Sequence, residues 1–370
     1  MTDQPLRVAL VSPPLDASGG IGRVTSCALA ALRPGDAGVR VLDSRGHSAS
    51  PVLSLLPLLR VCATLLALGA RRAVDVVHVN MSSHGSTVRK CAVVAACRCV
   101  RLPVVLHLHA SSYPEFFERL PAPARRIVRA TFRSARSVVV LSESWRAYVC
   151  TTLAVPPARV TVLPNAAPGP SRATPVPRRD GEPAQLLFLG RLGERKGVPE
   201  LLAALGRPPL RERSWRLTLA GDGDVPAYRR RAAELGLADR VRFTGWVDEA
   251  ATRALLGQAH VLVLPSHAEG SPMAVIEALA HAVPVVATPV GGIPELVTSG
   301  VEGLLVPPGD ADALAAALLR LLDDEPLRRS LAVGARAAWA RTHTPEVYAA
   351  GLAALWRRAP APARTHAGAA

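Results

Sequence analysis

The amino-acid pattern predicts an α/β protein of two doubly wound, Rossmann-like domains. Three observations predict it: a length of 370 residues, short apolar runs alternating with longer helical patterns in both halves, and a proline-dense break between the halves. The length exceeds a typical single domain and suits two. Apolar residues make up 49% of the chain, so each domain can bury a core.

In the first half, Arg7–Val11, Val74–Val79, Val104–His107 and Ser137–Leu141 read as strands. They are continuous in Val, Ile and Leu rather than alternating, as in parallel strands covered on both faces. The second half repeats the scheme at Gln185–Leu189, Arg216–Ala220, Arg240–Phe243, His260–Leu264 and Pro284–Ala287. Strand, helix, strand in alternation implies parallel sheets with helices on both sides. Pro164–Pro183 holds six prolines and can neither continue a helix nor pair as a central strand, so the linker is expected there. The expected division is residues 1–170, residues 171–345, and a C-terminal helix over 346–370 packing back on the first domain. The last dozen residues read as a frayed tail.

The formal charge of +15 is lopsided. Residues 1–170 carry 20 Lys and Arg against 8 Asp and Glu, or +12; residues 171–370 carry 24 against 21, or +3. The first half suits an acidic partner, either a phosphate-bearing acceptor or an anionic membrane surface. Aromatics are sparse and do not alternate with the basic residues, which argues against nucleic acid. Arg125, Arg129, Arg133 and Arg136 fall on one helical stripe, with Ile127, Val128 and Phe132 as apolar neighbours suited to a membrane interface. A solvated basic face accounts for the same stripe. The apolar window Pro51–Leu68 contains Arg60 and two prolines, which favours a buried or surface-lying helix over a span. The six cysteines precede residue 151 with no zinc-ligand spacing, and read as reduced, mostly core thiols. With no signal-peptide pattern at the start, the expected location is cytoplasmic, including the inner face of the membrane.

The segment Glu269–Glu277, EGSPMAVIE, carries the strongest chemistry. It follows strand His260–Leu264, with Ser271 expected as N-cap and Pro272 at the first helical position. A helix start there aims N–H groups and positive dipole at the carboxyl edge of the sheet, where ligands bind in open α/β sheets. Two carboxylates flanking an anion-binding helix start suit a nucleotide-sugar, with hydroxyls at both ends and phosphates between. A capped surface helix with solvated glutamates fits the segment equally well. Arg191 and Lys196, in GRLGERKG, leave the sheet at the same edge and offer a planar fork and a point charge to phosphate. Lys196 is one of only two lysines, with Lys90, among 44 Lys and Arg. Ser18–Gly22 reads as a glycine-rich loop where backbone amides can approach a ligand. No G-x-G-x-x-G or Walker A sequence occurs, which argues against a dinucleotide dehydrogenase or a P-loop NTPase. His107 and His109 alternate at a strand end and so share a side, as core histidines or a hydroxyl contact. Asp222-Gly223-Asp224 mimics a D-x-D metal site but reads as a turn, and Asp323-Asp324-Glu325 as a solvated helix end.

In order and spacing, these segments resemble glycosyltransferase family 4, the retaining group 1 enzymes of GT-B fold, over nearly the whole chain. The resemblance rests on GGIG, LHLHAS around His109, GRLGERKG, LAGDG at 219–223, FTGWV at 243–247, the Glu269/Glu277 pair and GGIPELV at 291–297. It implies two domains facing each other across a cleft. It also implies that Arg191 and Lys196 bind the donor diphosphate, Glu277 the ribose, Glu269 the transferred sugar, and His109 a sugar hydroxyl near the reacting carbon. Backbone near Gly20 and Gly22, and at Met273, Ala274 and Val275, would cradle phosphate, with Gly221 and Phe243 lining the donor site. Ser271 stands where an aromatic is common, so the sugar pocket is expected to differ locally. The implied reaction is retaining transfer from a UDP- or GDP-sugar to a hydroxyl of a glycan, lipid-linked or small natural-product acceptor, with no cofactor and no metal. Domain closure would exclude water. Two other functions fit the fold: a nucleotide-sugar epimerase, and a catalytically silent nucleotide-sugar-binding subunit.

Overall fold

A computed structural model describes residues 5–15, 20–46, 54–110, 112–179 and 181–359. The chain divides into two compact units: residues up to Ala166 together with those from Pro345 onward, and Ala167–Thr344.

The first unit is built on β1 (Leu6–Ser12), β2 (Ala37–Asp43), β3 (Val76–Met81), β4 (Val104–Leu108), β5 (Ser137–Val140) and β6 (Val160–Val162). They form one parallel sheet in the order β2-β1-β3-β4-β5-β6. Central strand β3 is buried throughout, which explains its unbroken apolar run. The direction of winding reverses between β1 and β3, so loops diverge there at the carboxyl edge. The C-terminal helix Pro345–Arg358 packs on helix Gly20–Ala31 and on β1 of this unit, burying Tyr348, Leu352 and Trp356.

The second unit is built on β7 (Ala184–Leu189), β8 (Trp215–Ala220), β9 (Val241–Gly245), β10 (Val261–Leu264), β11 (Val285–Ala287) and β12 (Gly303–Leu305). Its parallel order is β12-β11-β10-β7-β8-β9. Winding reverses between β7 and β10, and the crevice outside their carboxyl ends is the expected ligand position of such a sheet.

The structure refines several local expectations. The proline-rich stretch after Pro164 does not hang free: Trp339 Nε1 donates to Ala167 O at 2.9 Å, Arg336 Nη2 to Pro170 O at 2.8 Å and Arg328 Nη2 to Val176 O at 2.9 Å. Prolines leave carbonyls without a regular partner, and guanidinium and indole donors of the second unit take them up. Only Cys97 among the cysteines is fully buried, and Cys99 is exposed. In helix Ala122–Ser134, Val128 and Phe132 face the core rather than accompany the arginine stripe, and Ile127 alone of the three is exposed. Helix Leu55–Ala70, the described part of the apolar window, buries only Val61 and Leu65 and exposes Leu55, Leu56 and Leu59. No helix among the described residues is long and apolar enough to cross a membrane. Of the C-terminal tail, residues 360–370 lie outside the described residues.

Candidate functional site

In the second unit, the loop after β7 and the loop after β10 are tied together at the reversal point. His267 N donates to Arg195 O at 2.9 Å, and Arg195 Nη1 to Ala268 O at 2.9 Å. His267 Nε2 meets Glu200 Oε1 at 3.0 Å. The centre of this junction is an ion pair: Lys196 Nζ lies 2.5 Å from Glu269 Oε1, which also accepts from Ser266 Oγ at 2.7 Å. Side-chain exposure is 14% for Lys196 and 5% for Glu269, so the pair is largely withdrawn from water. Two residues assigned separate roles from the sequence are therefore direct partners.

Glycines permit this closeness. Gly291, at φ +57°, lies where a Cβ would meet Glu269 O at 1.8 Å, and Gly292 N donates to Gly270 O at 2.8 Å. The GGIPELV turn thus clamps the Glu269 loop. Gly221, at φ +155°, lies where a Cβ would meet Gly190 O at 1.9 Å, which holds the loop after β8 against the one after β7. Its place is backbone packing beside the site.

Arg191 stands exposed just beyond β7 with no side-chain partner among the described residues, available to a ligand. The helix after Glu269 runs Met273–Ala280, later than expected. Pro272 is its N-cap, in extended conformation, and no side chain caps it, so Ser271 does not fill that role. Proline already holds the backbone geometry of the cap, which moves the first helical residue to Met273. The Val275 amide is engaged by Pro272 O at 3.1 Å and is removed from the expected cradle. Met273 and Ala274 are half-buried, as is Glu277 in the second turn. Phe243 lies on the outermost strand β9, its ring 5.7 Å from the Arg229 guanidinium. Asp224 is the N-cap of helix Val225–Glu234, accepting from Ala227 N at 3.0 Å, which accounts for half of the D-x-D mimic. Asp324 likewise caps helix Glu325–Thr342, and Asp323 pairs with Arg213. No group of three or more His, Cys, Asp or Glu suited to a metal ion occurs among the described residues.

In the first unit, Gly20 and Gly22 are the first and third residues of helix Gly20–Ala31, with Gly22 buried, rather than members of an open loop. Ser18 and Gly19 lie outside the described residues. His107 and His109 do share a side, with ring centroids 3.9 Å apart. They join His78 and Asn80 of β3 in a polar cluster inside the unit. His109 Nε2 is 3.1 Å from Asn80 Oδ1, and His78 Nε2 is 3.2 Å from the same oxygen. Burial lowers His78 to about 4 and, with His78 as neighbour, His109 to about 3. His107, fully buried, falls well below its ordinary value for the same reason, reinforced by the other two. All three are neutral at pH 7. His78 and Asn80 escape motif inspection, although polar letters inside a wholly buried strand, VVHVNM, were the available signal.

Family models match both halves: a glycosyl transferase 4-like domain over residues 4–166 and glycosyl transferases group 1 over residues 183–324. The chain belongs to the group 1 glycosyltransferases. An alpha-D-kanosaminyltransferase of Streptomyces kanamyceticus is 29% identical over 254 residues, covering 64% of this chain and 66% of that protein. A glycogen synthase of Mycobacterium tuberculosis is 30% identical over 240 residues, covering 64% and 58%. The matches thus span less than two thirds of these relatives' length. Among solved structures, sucrose-phosphate synthase from Thermosynechococcus elongatus aligns with TM-score 0.74 at 24% identity, covering 95% of this chain and 98% of that one. Anabaena HepE in complex with UDP aligns with TM-score 0.72 at 19% identity, covering 95% and 100%. The group 1 glycosyltransferase described here shares their fold, GT-B.

Proposed function

We propose that this glycosyltransferase transfers a sugar from a UDP-sugar to an acceptor hydroxyl with retention of anomeric configuration and without a metal. The observation that carries the proposal is the Lys196–Glu269 pair at the reversal point of the second sheet, beside an exposed Arg191 and an uncapped helix start. A departing diphosphate gains negative charge as the bond to the sugar breaks. Lys196, Arg191 and the first-turn amides of Met273 and Ala274 offer positive charge and dipole to it. Glu277 binds ribose hydroxyls and Glu269 the transferred sugar. Gly221 keeps the neighbouring backbone close, and Phe243 borders the same edge. In the first unit, neutral His109 accepts a hydrogen bond from a sugar hydroxyl.

In the step itself, the bond from the anomeric carbon to the β-phosphate oxygen breaks and a bond to the acceptor oxygen forms on the same face. The acceptor's proton passes to the departing phosphate oxygen. The complexes of HepE with UDP and with UDP-glucose support uracil as the base. An acceptor carrying phosphate or a lipid suits the +12 balance of residues 1–170. Such a chain would work in the cytoplasm, in peripheral contact with an anionic leaflet through its exposed arginines and leucines. Stronger co-sedimentation with anionic than with neutral vesicles is expected, and equal partitioning removes the membrane part.

The deciding experiment follows UDP-glucose turnover by proton NMR in the presence of a chelator. α-Glucose is expected as the first product of slow hydrolysis. β-Glucose appearing first would overturn retention, and loss of turnover on chelation would overturn metal independence.

A further inference from the structure

The polar cluster of the first unit contains a donor whose direction is not in doubt. Trp356, fully buried on the C-terminal helix, directs its indole N–H to His78 Nδ1 at 3.1 Å. An indole nitrogen only donates. His78 Nδ1 must therefore present a lone pair, and the neutral ring carries its proton on Nε2. That proton faces Asn80 Oδ1 at 3.2 Å and His107 Nδ1 at 3.3 Å. The Asn80 amide is oriented in turn: its oxygen faces His78, and its nitrogen donates to Thr25 Oγ1 at 3.1 Å and Ser12 Oγ at 3.3 Å. His109 meets that same oxygen through Nε2 at 3.1 Å. Two lone pairs cannot face each other, so His109 Nε2 carries the proton and Nδ1 is left as an acceptor. No group among the described residues engages that Nδ1.

We propose that Trp356 is a positioning residue which, through His78 and Asn80, holds His109 as its Nε2–H tautomer and presents Nδ1 as a hydrogen-bond acceptor to a ligand hydroxyl. The two endpoints of this chain, His109 just past the end of β4 and Trp356 on the C-terminal helix, are separated by 247 positions (356 against 109) in sequence. His107 shows that the direction has a cost. Accepting at Nδ1 from His78 leaves its own proton on Nε2, a fully buried nitrogen with no partner. An unsatisfied buried donor is tolerated where the arrangement serves a site. The arrangement also sorts ligands. A bare Nδ1 welcomes a hydroxyl, which can donate, and repels a phosphate or carboxylate oxygen, which cannot. The unit with the larger positive balance thus offers anions its surface, while this internal site prefers neutral hydroxyl groups.

The tautomer assignment stands on geometry alone, whereas its use on a sugar hydroxyl rests on the proposed function. Long-range proton–nitrogen NMR of the full chain, labelled with nitrogen-15 in histidine, separates the two. Without ligand at neutral pH, His109 is expected to show a pyrrole-type Nε2 and a pyridine-type Nδ1. The reverse pattern in the unmodified chain overturns the proposal whatever any variant does. In Trp356→Phe, which keeps an aromatic ring of smaller size but removes the donor, the Nδ1 signal is expected to move toward the pyrrole type as both tautomers become populated. An unchanged His109 in a folded Trp356→Phe chain overturns the role of Trp356. Adding UDP-glucose, with UDP as control, should shift Nδ1 only when the sugar is present. The expected tautomer with no sugar-dependent shift, while UDP still binds, overturns the hydroxyl contact and leaves the donor site standing.

Discussion

The two units share a sheet plan and differ in how they keep polar groups away from water. Each contains one of the chain's two lysines. Lys196 of the second unit is held against Glu269, so its charge is matched inside the loop junction. Lys90 of the first unit is 2% exposed, donates to Ser44 Oγ, and has no carboxylate at ion-pair distance among the described residues. Burial, with Arg89 adding repulsion, lowers Lys90 to about 7. The histidines of the same unit follow the same rule and are neutral. At these centres the second unit holds a formal charge pair, whereas the first holds three neutral histidines and a lysine that loses its proton near pH 7. A buried charge persists where its partner is built in; elsewhere the protein releases or withholds the proton.

The largest break in this comparison is to remove one member of the charged pair. Lys196→Ala leaves Glu269 buried without its cation, which is expected to cost about 3–5 kcal/mol in urea unfolding and to abolish donor turnover. The double change Lys196→Met/Glu269→Leu should recover most of that stability and remain inactive. A double variant as unstable as the single one would show that the pair is not what sets the cost.

Lys90 is expected to respond in the opposite direction. Its folded value lies below the unfolded one, near 10.4. Between about pH 7 and 10.4 the unfolded chain therefore binds a proton that the folded chain has released. Stability should rise with pH across that window, by up to about 1.4 kcal/mol per pH unit. Lys90→Met should stabilise the protein at pH 7 by a few kcal/mol and flatten the alkaline rise. Loss of stability in that variant would assign Lys90 a favourable partner.

Each histidine of the cluster, taken singly, gives a smaller effect, at acid pH. Folded values of about 4 for His78 and about 3 for His109 lie below the unfolded 6.5, and His107 is likewise held well below it. As pH falls from 6.5 toward 4 the unfolded chain takes up protons first, and stability declines by about 1.4 kcal/mol per unit for each histidine. His107→Leu should remove one such share and also the unpartnered Nε2. An acid limb of unchanged slope in that variant would mean that His107 is protonated in the folded chain.

How much was legible beforehand follows from the same physics. The strands read from the sequence were those with unbroken apolar runs, such as RVALV in β1 and SVVVL in β5. The strands it did not reveal, β2, β6 and β12, are all edges of their sheets. β2 alternates between half-buried and exposed positions up to Val41 and buries only Leu42, and β6 and β12 have three residues each, so neither length nor pattern marks them. Arg191, Lys196, Glu269 and Glu277 stood out because they follow strands at a carboxyl edge. Their mutual geometry was not legible, since the Lys196–Glu269 contact joins residues 73 apart. The helix start at Met273 was misjudged because Ser271 is a good cap residue and Pro272 a good first residue, yet Pro272 took the cap itself. Trp356 carried no signal at all, because a tryptophan in an apolar helix reads as core until its nitrogen is seen to reach His78.

The sharpest check of the donor site is calorimetric titration of UDP into the unmodified protein and into Arg191→Ala. Arg191 is exposed and has no side-chain partner among the described residues, so its removal should change folding stability by less than about 0.5 kcal/mol. A lost charge-assisted contact to phosphate is worth roughly 1.5–3 kcal/mol, or about tenfold to a hundredfold in affinity. UDP binding weakened by at least tenfold in a variant of unchanged stability is the expected result. Equal affinity in the two proteins, or no UDP binding to either, would contradict a donor diphosphate site at the carboxyl edge of β7 and β10.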